Sequence, residues 1–117
     1  ICFVQINSGF NHLIRPMFYD AYHRIENISN PSGVIKTYTI TGNICETDTF
    51  ATDRDLPEIK ESDYLAIFNA GAYGFEMSSN FNSRYKPAEV LIENNDARLI
   101  RRRDEWQDLL RGQIDIA

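Results

Sequence analysis

The sequence predicts a mainly β domain, a barrel or sandwich with a short helix near each end. Short runs of β-branched and aromatic residues recur along the chain, separated by turns rich in Asn, Ser, Gly and Pro. Residues 34–41 alternate, with Val34, Lys36, Tyr38 and Ile40 on one side and Ile35, Thr37, Thr39 and Thr41 on the other. Helical spacing is confined to two stretches, one after Leu13 and one after Asp104. The 117 residues suffice for one domain spanning 1–117 and one core, and are too few for two. With 43% hydrophobic and 25% charged residues, the chain is of the globular rather than the disordered class.

The run Ile1–Ile6 is short, apolar and β-branched and stops at Asn7-Ser8-Gly9, which predicts a buried strand. From Leu13 to Tyr22, apolar Ile14, Met17, Phe18 and Ala21 follow a helical pattern, and Pro16 sits near its start, where a missing N–H costs least. Two extended runs follow, Tyr22–Ile28 and Val34–Ile44, joined by the turn cluster Ser29-Asn30-Pro31-Ser32-Gly33. A polar loop is predicted through Thr52-Asp53-Arg54-Asp55 to Leu56-Pro57, then a strand over Tyr64–Asn69. Gly71 and Gly74 bracket Tyr73 in a turn, and the Ser- and Asn-rich stretch Ser78–Tyr85 reads as a loop. Pro87 introduces a strand over Ala88–Ile92, and Asn94-Asn95-Asp96 turns it into a hairpin with Arg98–Arg102. In the closing helix Asp104 is placed to cap with Gln107, Trp106, Leu109 and Leu110 form the apolar side, and Gly112 ends it. The total is about six strands.

Composition excludes several roles. A net charge of -5 argues against a nucleic-acid partner, and Arg101-Arg102-Arg103 is too short a basic run to reverse it. No apolar run approaches the ~20 residues of a membrane span. Ile1–Val4 has neither a basic n-region nor a small-residue cleavage site, so no signal peptide is expected. Cys2 and Cys45 could make at most one bridge, which points to a reducing cytoplasm. A start at Ile1 rather than Met reads as a piece of a longer polypeptide.

Three groups of residues could carry chemistry. Cys45 and Glu46 stand side by side after a strand, where a thiol can deliver a proton and a carboxylate can hold an ammonium group. Alone, Cys45 reads first as a small core hydrophobe. Arg15 and Tyr19 lie four apart on a helical turn, so a guanidinium fork and a phenol can share a carboxylate; otherwise they are a surface Arg beside a half-buried Tyr. Tyr73, between two glycines, could reach a phosphate or could simply occupy a tight turn. His12 and His23 have no ligand at metal spacing, so both read as structural and no metal site is assigned.

The pieces together are more specific than any one. Asn7-Ser8-Gly9-Phe10-Asn11, Arg15-Pro16-Met17-Phe18-Tyr19, Cys45-Glu46-Thr47, Gly71-Ala72-Tyr73-Gly74-Phe75-Glu76-Met77-Ser78-Ser79-Asn80, Asn82-Ser83-Arg84 and Pro87-Ala88-Glu89-Val90-Leu91 appear in order. Over essentially its whole length the chain resembles the C-terminal β domain of the diaminopimelate decarboxylases. The resemblance implies a Greek-key β-barrel or sandwich of the alanine racemase C-terminal type, packed in the parent against an N-terminal (β/α)8 barrel that binds most of the pyridoxal phosphate. It implies decarboxylation of meso-2,6-diaminopimelate to lysine, with the active site at a homodimer interface. Cys45 then resembles the proton donor to the carbon that loses CO2, working in the partner subunit's site. Glu46 resembles the holder of the distal ammonium, Arg15 and Tyr19 the grip on the distal carboxylate, and Tyr73 the contact to cofactor and substrate.

The family's acidic residue four positions after the cysteine is here Thr49, with Asp48 one place earlier, which leaves that carboxylate's supporting role open. Lys36, Lys60 and Lys86 sit in nothing like the Schiff-base motif, so this stretch alone is expected not to decarboxylate anything. Two rivals stand: a relative acting on ornithine, arginine or carboxynorspermidine, and a non-catalytic dimerisation module. Glu46 with Arg15 and Tyr19 favours diaminopimelate, because ornithine-type substrates lack a distal carboxylate. The segments Thr49–Asp55 and Ser78–Tyr85 are expected to be the least ordered, being polar.

Overall fold

The computed structural model describes residues 1–116. The chain is mainly β: strands β1 (Cys2–Gln5), β2 (Ile25–Asn27), β3 (Ile35–Thr41), β4 (Thr49–Pro57), β5 (Leu65–Ile67), β6 (Glu89–Glu93) and β7 (Asp96–Arg101). Helix α1 (Arg15–Tyr19) lies near one end and α2 (Trp106–Leu109) near the other, with single 3-10 turns at Phe75–Met77 and Phe81–Ser83.

Among the described residues the strands make three sheets and do not close into a barrel. The first has the order β1-β3-β4, with β1 parallel and β4 antiparallel to the central β3. The second pairs β2 with β5 and the third is the β6–β7 hairpin, both antiparallel. The core lies between the first two sheets: Tyr38, Ile40, Phe50, Ala51 and Leu56 pack with Ile25 and Leu13, and Ile67 and Leu65 close over them. Ile40 is wholly buried at its centre.

Several expectations fail for physical reasons. β1 is an edge strand rather than a buried one, since it pairs only with β3 and leaves Cys2 and Phe3 exposed. The predicted polar loop at 52–55 is the middle of β4, the longest strand described. Tyr38 pairs with Arg54 and Ile40 with Ala51, so two residues of β4 oppose one of β3, and Asp53 takes a positive φ of 50° in that bulge. Thr52, Asp53 and Asp55 are exposed while Phe50, Ala51 and Leu56 anchor the strand. Ser78–Tyr85 is irregular as expected but tied down: Ser79 N–H donates to the Asn11 carbonyl (2.9 Å) and Asn82 Nδ2 to the Ile44 carbonyl (2.7 Å).

The first helix is shorter than its periodicity. It begins at Arg15 with Pro16 in its first turn, and Asp20, at φ 55°, ends it in the left-handed region. At α2 the cap is Glu105 with Asp108, each side chain taking the other's backbone N–H, rather than Asp104 with Gln107. Asp104 instead accepts from Asn80 Nδ2 (2.9 Å) and the Lys86 N–H (3.0 Å). Gly112 follows at φ 82°, just past the helix end. The hairpin β6–β7 forms as expected, with Asn94 and Asn95 both at positive φ as a two-residue turn demands. The basic triplet is solvated: Arg101 pairs with Glu89, and Arg102 with Asp108.

Candidate active site

Cys45 is not in a strand; it sits in the loop between β3 and β4. Asp48 shapes that loop. Its carboxylate is buried and accepts the Phe10 N–H at 2.8 Å and the Ile44 N–H at 3.3 Å, while its carbonyl takes the Gly42 N–H at 2.7 Å. The Asn43 N–H donates to the Ser8 carbonyl (3.0 Å), so the Cys45 loop is laced to residues 8–10. A Cβ at Gly42 would collide with the Asp48 carboxylate, which is why that position takes glycine. Burial raises the Asp48 pKa, opposed by the Ile44 and Phe10 N–H groups and by His12. The carboxylate that holds the Cys45 loop is thus three residues after the cysteine, and the sequence does not reveal it because its burial has no local signature.

The loop presents Cys45 half-buried and Glu46 exposed. The Cys45 thiol donates to Glu46 Oε2 at 3.4 Å, and Thr47 Oγ1 lies 3.8 Å from the sulfur. Glu46 is held below the usual carboxylate range, first by its own backbone N–H and then by the Cys45 thiol. The pair therefore offers a thiol beside a carboxylate that is ionised at neutral pH.

A second group forms around α1. The Arg15 guanidinium lies over the Tyr73 ring, 5.5 Å from its centroid, and its Nη1 is 3.5 Å from His23 Nε2. Tyr73 occupies the turn before the 3-10 segment at Phe75–Met77. There a Cβ at Gly74 would strike the Ala70 carbonyl, whereas Gly71 faces open space. Only Gly74 is sterically required to shape the Tyr73 turn. Tyr73 and Tyr19 are both more than half exposed, and Tyr19 packs edge-on against Phe18. Among the described residues Arg15 has no carboxylate partner and Glu46 no cation.

Structure thus joins Cys45 to Glu46, and Arg15 to Tyr73. No hydrogen bond or ion pair links the two groups among the described residues. Pro16 and Met17 of α1 and Thr47 and Thr49 after Glu46 line one open cleft of about 590 Å³, but Arg15, Tyr19, Cys45, Glu46 and Tyr73 are not among its lining residues. The two histidines have structural settings. His23 is buried with Nδ1 2.8 Å from the Phe68 carbonyl; His12 spans Ser8 Oγ (2.7 Å) and the Tyr85 carbonyl (2.9 Å). Burial lowers the His12 pKa, offset in part by the Tyr85 carbonyl.

Residues 1–71 match the family model for the pyridoxal-dependent decarboxylase C-terminal sheet domain. The chain is 48% identical over 116 residues to the diaminopimelate decarboxylase of Methanothermobacter thermautotrophicus, covering 95% of this chain and 26% of that protein. A crystal structure of AQ1208 from Aquifex aeolicus superposes with a TM-score of 0.91 at 42% identity, over 97% of this chain and 28% of that one. Diaminopimelate decarboxylase from M. jannaschii in complex with L-lysine gives 0.89 at 38% identity, over 97% and 26%. The chain spans about a quarter of the length of the curated relatives it matches.

Proposed function

The chain belongs to the pyridoxal-dependent decarboxylases through their C-terminal sheet domain, and on that premise we propose that it is the C-terminal β domain of a diaminopimelate decarboxylase. The relatives' names and the L-lysine complex support meso-diaminopimelate as substrate and lysine as product. In this reading residues 1–117 form one domain whose three sheets are parts of a Greek-key barrel or sandwich, completed against an N-terminal barrel in a cytoplasmic homodimer.

The observation that carries the reading is the state of Arg15. Among the described residues its guanidinium has a phenol ring and an imidazole as partners and no carboxylate, so its charge is left for a ligand carboxylate. A substrate with an amino acid at each end brings a carboxylate to Arg15 and Tyr19, and an ammonium to Glu46. Ornithine and arginine have nothing distal to offer Arg15. The lack of contact between Arg15 and Cys45 within one chain supports a site shared across a dimer. One protomer would supply Arg15, Tyr19 and Tyr73, and its partner the Cys45–Glu46 pair.

Pyridoxal phosphate, when bound, supplies the electron sink that lets CO2 leave. Tyr73 fits a contact to its phosphate, because its exposed hydroxyl makes no hydrogen bond among the described residues and a cation lies beside the ring. Cys45 then delivers its proton to the carbon that has lost CO2, and ionised Glu46 keeps the distal ammonium in place.

The test is CO2 release by the full-length protein from meso-diaminopimelate, ornithine and arginine. Turnover of diaminopimelate alone is expected. Turnover of ornithine or arginine instead would return Arg15 and Tyr19 to structural roles.

A further inference from the structure

We propose that His23 is a positioning residue for substrate binding, setting the aim of the Arg15 guanidinium through its Nε2 lone pair. This rests on the reading of Arg15 as the carboxylate grip. The imidazole is only 2% exposed. Its Nδ1 lies 2.8 Å from the Phe68 carbonyl, an acceptor only, so Nδ1 must carry the hydrogen. Its Nε2 faces Arg15 Nη1, a donor only, at 3.5 Å, so Nε2 must present a lone pair. The two neighbours together define one neutral tautomer.

The backbone that carries the ring is held as well. Arg54 Nη1 donates to the His23 carbonyl at 2.7 Å, and Arg54 itself lies 3.9 Å over the Tyr22 ring. The Phe68 N–H donates to the Arg24 carbonyl at 2.8 Å, so the residue just after β5 that holds Nδ1 is fixed to the segment just before β2 that carries His23. Arg15 leads a helix of five residues with no side-chain cap, a weak support for a long flexible side chain. His23 and the Tyr73 face are what limit it. The 3.5 Å separation is at the long end of hydrogen bonding, as suits a contact that steers a cation without consuming its fork.

The test uses two substitutions in the full-length protein. His23→Asn keeps a donor for the Phe68 carbonyl and loses the acceptor at the Nε2 position. His23→Gln places an amide oxygen near that position. We expect His23→Asn to raise KM for diaminopimelate roughly tenfold with kcat little changed, as for loss of uniform binding. His23→Gln should stay near wild type. In the Arg15→Ala background His23→Asn should have no further effect on KM, because the group it aims is gone. An unchanged KM in His23→Asn, or additive losses in the double variant, overturns the proposal. If His23→Asn does not fold, His23→Leu, which fills the ring's place without an acceptor, takes its part under the same criteria: an unchanged KM, or additive losses with Arg15→Ala, overturns the proposal. An Arg15→Ala enzyme with wild-type KM would instead fail the underlying reading of the site.

Discussion

Asp48 buries a carboxylate to hold the Cys45 loop, and this makes a pH signature. Its folded pKa is raised by burial, so the stability it contributes is present below the ordinary Asp value and is lost as pH rises through the raised one. Asp48→Asn removes that titration. The unfolding midpoint of the variant relative to wild type should therefore climb as pH is taken up from about 3 through the Asp48 titration. A difference that is flat with pH would assign Asp48 no titrating role. At the chemical step, Cys45→Ala in the full-length protein is expected to lower kcat for diaminopimelate by about 10²-fold or more with KM nearly unchanged. A KM effect alone would make Cys45 a binding group. At this scale Cys45, Glu46, Arg15, Tyr19 and Tyr73 could be singled out as candidates because each belongs to a short motif of unusual composition. Asp48 and His23 were not, because their partners, Phe10 and Phe68, are distant in sequence and contribute backbone atoms that no residue type encodes.

At the scale of elements, the β6–β7 turn can be tested in isolation. Asn94 and Asn95 stand at φ 51° and 61°, a region that Asn tolerates and β-branched residues do not. Asn95→Val is expected to lower stability by about 1–2 kcal/mol and Asn95→Gly to leave it unchanged or raised, measured by denaturant unfolding. Equal stability of the Val and Gly variants would refute the turn. This hairpin was readable because its turn residues are explicit. Strand β4 was not: Thr52-Asp53-Arg54-Asp55 is the composition of a loop, and only pairing to β3, with a bulge to absorb the extra residues, makes it a strand. The α2 cap was misplaced by one residue because Asp104 and Glu105 are both able acceptors, and Lys86 and Asn80 claim the first.

The whole molecule is more open than its length requires. Its radius of gyration is 16.1 Å, against the roughly 13 Å of a compact domain this size. Val90, Ile92, Leu99 and Ile100 of the hairpin are exposed, as are Phe3 and Trp106. Both features fit a domain that packs against more protein, and class and strand pattern were legible where closure of the sheets was not. The isolated 117-residue piece should release no CO2 from diaminopimelate; release near the full-length rate would refute the division of labour. The shared site is tested most directly by mixing two impaired full-length variants, Arg15→Ala and Cys45→Ala, after subunit exchange, assayed at diaminopimelate well below the Arg15→Ala KM. A heterodimer then carries one site with both residues intact, and random pairing predicts recovery of about one quarter of wild-type activity. Activity no greater than the sum of the two variants, with exchange verified, would contradict a site built from Arg15 of one protomer and Cys45 of its partner.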